Sequence, residues 1–299
     1  MTTNSAKTIL TWLILLAFIV AVESYWGWNI ILAPWKTLSY GSIGIAILLF
    51  LSSYQLRTWR LYDYFLPHTE GKWMAALRLT LLHNILNNLL PARSGEISFP
   101  LLMKRYFAVG YSHSIPALLW FRLLDLHALL SIGLIVWGVS NRGQYPISYL
   151  FLAVLWLFLP LIFYSVKNRI RVNSSQSFII KVLDGLPQTN AKFWRNWLLT
   201  ALNWLLKLAV LAWLLGQFLT LDITYLVSSV ITGELSSVLP FHAPGGVGTY
   251  EAGMVAPLLA VIDIEKATQA AINVHLFMLF SSIIGGLIGW LLPVAKPCS

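Results

Sequence analysis

The chain has 299 residues, of which 58% are hydrophobic and only 10% are charged, and its formal net charge is +9. Soluble domains carry about 25% charged residues, so this composition excludes a soluble protein and predicts a membrane protein. The single cysteine, Cys298, excludes an intrachain disulfide and a cysteine-based metal site. The positive charge fits an anionic membrane surface, and no nucleic-acid-binding module accompanies it.

Apolar stretches of the length that crosses a bilayer, about 20 residues, recur along the chain. The first follows Lys7 in the manner of a signal peptide, but bulky residues stand where a cleavage site needs small ones, so a retained helix is expected. The pattern predicts an all-α polytopic membrane protein with about six transmembrane helices, near residues 9–30, 38–56, 115–139, 146–165, 197–219 and 267–292.

Two further apolar segments, about 73–108 and 223–262, are interrupted by prolines. Proline removes a backbone donor and clashes with the preceding turn, so each should break a helix. Backbone groups freed in a membrane must be satisfied by protein or by a wet cavity. We therefore expect two re-entrant helical hairpins. The first is broken at Pro91 and Pro100, the second at Pro240 and Pro244.

The distribution of lysine and arginine predicts the orientation of the chain. With two re-entrant hairpins, loop cations concentrate on one side, and the other side keeps only Lys36, Arg142 and Lys266. We therefore expect cytoplasmic N- and C-termini in a bacterial inner membrane. Residues 1–299 are expected to form a single membrane domain.

The two broken segments resemble each other, as "NNLLPARSGEISFPLL" and "SSVLPFHAPGGVGTYEAGMVAPLL" show. Each runs from small polar residues through Leu-Pro to a loop with glycine and glutamate, and each has a later proline, Pro100 or Pro257. Under the predicted orientation the hairpins enter from opposite sides. That is the pattern of an inverted repeat whose broken helices meet near the midplane.

Glycine-rich turns that open a helix leave backbone N–H groups unpaired, and with the helix dipole they favour an anion such as phosphate. Gly245, Gly246 and Gly248 form one such turn, and Gly95 beside Glu96 forms a second. The alternative is that these glycines only permit close helix crossing, as small residues do in membranes.

Two of four acidic residues in apolar segments have a cation nearby in sequence. Asp125 follows Arg122 by three residues on one helix face, and Glu96 lies within reach of Arg93. Carboxylates are costly in membranes, so each is by default part of a pathway, a relay or an ion pair.

The other two acids, Glu234 and Glu251, have no such neighbouring cation. Desolvation would then favour their protonated forms, which suits a proton step. His242 and His275 are candidates for the same chemistry because histidine titrates near neutral pH, although a lone histidine is more often only hydrogen-bonded.

The segments "NNLLPARSGEI", "FRLLDLHALL" and "LPFHAPGGVGTYEAGMVAPLL" occur in the order of the motifs of the lysylphosphatidylglycerol synthase transmembrane-region family. The resemblance covers nearly the whole chain. That family includes the flippase part of multiple-peptide-resistance factors, so the resemblance implies a lipid flippase without a soluble aminoacyltransferase domain. It also implies signature positions at Asn88, Pro91, Gly95, Glu96, Arg122, Asp125, Pro244, Gly245, Gly246, Gly248 and Glu251.

The chain departs from the family pattern at cationic positions. Ile97–Phe99 lack an arginine that follows Gly-Glu, Phe121 replaces a glutamate, and Tyr250 and His275 stand where arginines are usual. The departures imply a less charged headgroup or a divergent branch.

The sequence therefore predicts a translocase for a phospholipid or a lipid-linked phosphate, with no metal and no cofactor. Two alternatives stay open: an integral-membrane enzyme acting on a lipid-linked substrate, and an accessory subunit of a lipid-synthesis enzyme. Membrane lipids are the expected partners, and a homodimer or a complex with a lipid-synthesis enzyme is open. The expected substrate-binding residues are Asn88, Arg93, Gly95, Glu96, Arg122, Asp125, His242, Gly245, Gly246, Gly248, Glu251 and His275.

Overall fold

A computed structural model describes Leu13 and residues 16–140, 146–173, 180, 183–187, 189–237 and 244–293, without side chains at 91–93, 166–173 and 244. These residues form helices and no strand. The α-helices are α1 (Leu16–Tyr25), α2 (Trp28–Ile31), α3 (Tyr40–Tyr64), α4 (Trp73–Leu89), α5 (Ser98–Phe107), α6 (Tyr111–Ser140), α7 (Ile147–Asn173), α8 (Asn190–Phe218), α9 (Ile223–Ser236), α10 (Thr249–Leu258) and α11 (Ile264–Leu291).

Four described helical stretches are long and apolar enough to cross a membrane: α6, Ile147–Ser165 of α7, α8 and α11. They confirm a multi-pass membrane protein and match four of the predicted spans. In the described part of the predicted span 9–30, α1 meets Trp28–Thr37 at 83°, so this region is a bent pair. The predicted span 38–56 lies in α3, which is not among the four. The total of six spans stays a prediction.

The first broken segment interrupts its helix where the sequence predicts. Helix α4 ends at Leu89, Leu90 is extended, and a short 3-10 helix runs from Pro91 to Ile97 before α5 begins. The predicted break at Pro100 is wrong, because Pro100 lies in the first turn of α5. An N–H in the first turn has no partner within its helix, so a proline is accommodated there.

The second broken segment consists of α9, a 3-10 turn at Pro244–Gly246 and α10. Asp222 caps α9, accepting a 2.8 Å hydrogen bond from the Thr224 N–H. Ser229 of α9 donates a 2.7 Å bond to the Met254 carbonyl of α10, which ties the two helices together. Pro240 and His242 lie outside the described residues.

The chain folds into two compact units, each assembled from separate stretches of sequence. The tip unit comprises residues 1–53, 81–98 and 206–291 and contains both broken turns. The arginine unit comprises residues 54–80, 99–205 and 292–299, and its core is a cluster rich in aromatic side chains that includes Phe65, Phe99 and Trp120. The single membrane domain expected from the sequence stays a prediction.

Within the tip unit, the two broken turns lie against each other. Backbone atoms of Pro91–Ile97 and Pro244–Gly246 approach within 8 Å. Asn273 joins α11 to the bent pair within this unit, since it accepts a 2.6 Å bond from the Trp35 indole and donates a 2.7 Å bond to the Ile31 carbonyl. The turns meet as the sequence predicts, whereas their re-entrant and inverted relation stays a prediction.

Gly95 folds the first turn tightly onto the end of α4. A Cβ atom there would lie 2.3 Å from the Leu86 carbonyl oxygen, whereas a Cβ on Gly44 of α3 would meet nothing within 4 Å. We therefore expect Gly95→Ala to destabilise the protein by about 1–3 kcal/mol, since backbone atoms must shift. Gly44→Ala should have no destabilising effect. Thermal unfolding of the detergent-solubilised variants measures both, and equal melting temperatures would contradict the close approach.

Candidate functional site

The turn before α10 has a backbone that favours glycine. Gly245, Gly246 and Gly248 have φ values of 73°, 77° and 84°, which lie in the left-handed region that residues with a Cβ rarely adopt. The Gly246 carbonyl accepts a 3.0 Å bond from the Thr249 hydroxyl. Gly248 is exposed, so the start of α10 can be reached from outside the protein. We call residues 245–248 the glycine loop.

Glu251 closes the glycine loop from the first turn of α10. Its Oε2 accepts a 2.7 Å hydrogen bond from the Gly248 N–H, which is one of the orphan donors of the helix start. The carboxyl group therefore takes a position at which an external anion would bind. A phosphate at this helix start has to share the site with Glu251 or use other N–H groups.

His275 of α11 holds the same loop from the other side. Its Nδ1 lies 2.6 Å from Oε1 of Glu251, and its Nε2 lies 2.8 Å from the Gly245 carbonyl oxygen. Both side chains are buried. The Tyr250 ring stacks on the imidazole with centroids 4.4 Å apart. The structure thus brings the predicted residues Gly245, Glu251 and His275 into one contact group.

Glu234 of α9 forms an ion pair with a cation on another helix, which no local sequence pattern reveals. Lys207 of α8 donates a 2.7 Å hydrogen bond to its Oε2, and the Tyr250 hydroxyl donates a 3.2 Å bond to its Oε1. The pair is buried, with side-chain exposures of 10% and 4%. Glu234 therefore has a cationic partner on another helix, although no cation lies near it in the sequence.

The first broken turn presents a different set of contacts. Asn88 donates a 2.8 Å hydrogen bond to the Ser282 hydroxyl of α11, so it joins α4 to α11. The Ser98 hydroxyl donates a 2.6 Å bond to the Gly95 carbonyl. Glu96 is half-buried. The Arg93 side chain lies outside the described part, so its predicted pairing with Glu96 stays a prediction.

Asp125 and Arg122 belong to the arginine unit. Asp125 accepts a 2.8 Å bond from Arg60 and a 3.1 Å bond from the Trp204 indole, whereas Arg122 lies 3.8 Å away. Arg60 also donates a 2.7 Å bond to the Thr200 hydroxyl. The predicted Arg122–Asp125 pair exists, but Arg60 is the closer partner.

The described residues therefore place most predicted site residues in the tip unit: Asn88, Gly95, Glu96, Gly245, Gly246, Gly248, Glu251 and His275. Sequence reasoning missed Arg60, Thr200, Trp204, Lys207 and Tyr250 as partners. The one local signal was the presence of Lys207 inside an apolar helix. Among described residues, no group of three or more His, Cys, Asp or Glu side chains could hold a metal ion.

Loss of either member of the Lys207–Glu234 pair leaves a buried charge without its ion-pair partner. We expect Lys207→Met and Glu234→Gln each to lower the free energy of unfolding by about 3–5 kcal/mol, and the double variant to regain most of it. Lys266→Met is the control, because Lys266 lies 3.9 Å from Asp263 in an exposed pair whose loss has little effect. Denaturant unfolding in detergent measures all four, and additive losses in the double variant would contradict the pairing.

The motif resemblance is confirmed by comparison with family models. Residues 7–286 match the model described as the lysylphosphatidylglycerol synthase TM region, which covers nearly the whole chain. No curated protein and no solved structure matches the chain. The match relates the chain to membrane lipids, in agreement with its apolar helices. The chain belongs to the lysylphosphatidylglycerol synthase transmembrane-region family.

Proposed function

We propose that this protein moves a phospholipid or a lipid-linked phosphate between the leaflets of the bacterial inner membrane. The observation that carries the proposal is the contact between two broken turns, Pro91–Ile97 and Pro244–Gly246, in one compact unit of a multi-pass membrane protein. Membership of a lipid-related family supports the choice of a lipid as the cargo.

The contact matters because irregular backbone in a membrane is tolerated only where it is buried in protein or lines a wet cavity. Two such turns side by side bring the irregular backbone of Pro91–Ile97 close to the turn that precedes α10. Helix starts attract anions through unpaired N–H groups and through the helix dipole. A phosphate headgroup has the charge and the acceptor atoms that these groups need.

The roles of the charged residues follow from their positions. Glu251 organises the glycine loop through the Gly248 N–H. Arg93, close to Gly95 in the first turn, is proposed to neutralise part of the phosphate charge. Arginines are usual at positions 250 and 275 in the family motifs that this chain resembles. Here Tyr250 and His275 occupy these positions and stack on each other. We therefore expect a headgroup with less negative charge than an arginine-rich site would select.

Transport in proteoliposomes tests this function. Purified protein is reconstituted and supplied in turn with lipids of different labelled headgroups, and movement between leaflets is followed. Gly245→Ala and Gly246→Ala force a Cβ into a left-handed conformation at about 1–2 kcal/mol, so transport should fall roughly tenfold. The matched control, Gly44→Ala, lies in open space and should transport normally.

Two outcomes would contradict the proposal. One is unchanged transport by folded Gly245→Ala and Gly246→Ala variants, which would remove the glycine loop from the site. The other is movement of no headgroup above that in protein-free liposomes. Headgroup-selective movement that both alanine variants reduce is the expected result.

A further inference from the structure

The two contacts of His275 determine how many protons His275 and Glu251 hold between them. A carbonyl oxygen only accepts hydrogen bonds, so the 2.8 Å contact with Gly245 requires a proton on Nε2. The other ring nitrogen, Nδ1, lies 2.6 Å from Oε1 of Glu251. A contact of that length needs one proton between the two atoms.

Two arrangements supply that proton, and both give the pair the same net charge. Either Nδ1–H of an imidazolium donates to a carboxylate, or a protonated Glu251 donates to a neutral imidazole. Without the proton, the lone pair of Nδ1 would face a carboxylate oxygen at 2.6 Å in a buried site, which is repulsive. The geometry is therefore that of a pair to which a proton is bound.

We propose that Glu251 and His275 form a proton-binding site whose occupancy fastens the glycine loop. When the proton leaves, one ring proton remains for two acceptors. If it moves to Nδ1, the contact with Glu251 is kept and His275 lets go of the Gly245 carbonyl; if it stays on Nε2, the Glu251 carboxylate moves away from Nδ1 and lets go of the Gly248 N–H. Either loss loosens the start of α10. Proton release thus opens the loop, and proton uptake closes it.

Glu96 belongs to the first broken turn, which contacts Pro244–Gly246, and the titratable groups near the pair on α9 and α10 are engaged with one another. Tyr250 of α10 stacks on His275, but its hydroxyl donates to Glu234 of α9. Glu234 in turn is paired with Lys207 of α8. From α4, the neutral amides of Asn84 and Asn88 both donate to Ser282 of α11. The proton therefore belongs to Glu251 and His275, and the Lys207–Glu234 pair contributes no net charge.

Proton binding has a consequence for an anion at the start of α10. The bound proton cancels the negative charge of Glu251, either on the carboxyl group itself or as the adjacent imidazolium. A deprotonated pair presents that charge beside the Gly248 N–H and repels a phosphate. A proton and a phosphate-bearing headgroup should therefore bind together, which would let a pH gradient drive transport. This coupling rests on the proposed function, whereas the proton-held loop does not.

The Glu251→Gln variant separates the proton from the hydrogen bonds. Its carboxamide can donate N–H to Nδ1 of a neutral His275 and accept from the Gly248 N–H, so every bond is kept without the extra proton. We expect a loop that stays fastened at every pH. Glu265→Gln is the matched control, because Glu265 is exposed in the first turn of α11.

The first experiment reads the proton directly and needs no transport. Protein with 15N-labelled histidine is reconstituted in lipid vesicles and titrated by solid-state NMR from about pH 5 to pH 10, which extends beyond the range of about pH 5–8 in which an unperturbed histidine changes charge. Infrared spectra report protonated carboxyl groups, and His275→Asn and Glu251→Gln assign the signals. We expect an imidazolium or a protonated carboxyl that is lost as the pH rises through this range, in the wild type and in Glu265→Gln.

Two spectroscopic results would overturn the proposal. In one, neither an imidazolium nor a protonated carboxyl is present even at the acidic end of the titration, so that the pair does not take up the extra proton. In the other, the pair keeps its proton over the whole range, so that no release occurs.

The second experiment tests coupling in the proteoliposome assay with an imposed pH gradient. A gradient of one pH unit should produce up to about tenfold asymmetry of the labelled lipid between leaflets, if one proton moves with each lipid. Glu251→Gln should lose this response, and Glu265→Gln should keep it. Wild-type transport that ignores the gradient would overturn the coupling but leave the lipid transport intact. Absence of all transport would instead overturn the proposed function. The spectroscopic titration alone would then test whether a bound proton holds the loop.

Discussion

Backbone polar groups in a membrane protein need partners that lipid cannot supply, and the glycine loop shows how this chain meets that need. The loop departs from helical geometry at three glycines, so its own ladder of hydrogen bonds is interrupted. Side chains replace part of it: Thr249 bonds the Gly246 carbonyl, Glu251 bonds the Gly248 N–H, and His275 bonds the Gly245 carbonyl. The loop therefore depends on α11 as much as on its own helix.

Buried charges impose a second constraint, which acts between helices rather than within them. Asp125 and Glu234 each accept a hydrogen bond from a cation on another helix, Arg60 or Lys207. Each pair lies within one compact unit. Because a lone buried charge costs far more than a matched pair, such contacts favour one arrangement of the helices over its alternatives. They add less to the overall stability than their short distances suggest.

Local features were predictable from the sequence, whereas partners were not. The interruption at Pro91 and four membrane-crossing helices follow from proline chemistry and from the length of apolar runs, and the glycines before α10 mark its start. The break predicted at Pro100 is wrong because the N–H groups in the first turn of a helix have no partner within that helix. A proline there therefore removes no helical hydrogen bond. Lys207 and Arg60 were missed since nothing periodic connects residues 27 and 65 positions apart in sequence.

The surroundings of Tyr250 explain how the chain dispenses with an arginine at that position. In the resembled motif an arginine precedes the glutamate of the glycine loop, and here Tyr250 occupies its place. The carboxylate of Glu234 accepts a hydrogen bond from the Tyr250 hydroxyl, and it already has a cationic partner in Lys207. An arginine at position 250 would bring a second cation to one carboxylate, and its flexible side chain would replace the flat ring that packs on His275. Tyrosine satisfies Glu234 with a hydroxyl and leaves His275 facing Glu251 without a competing charge.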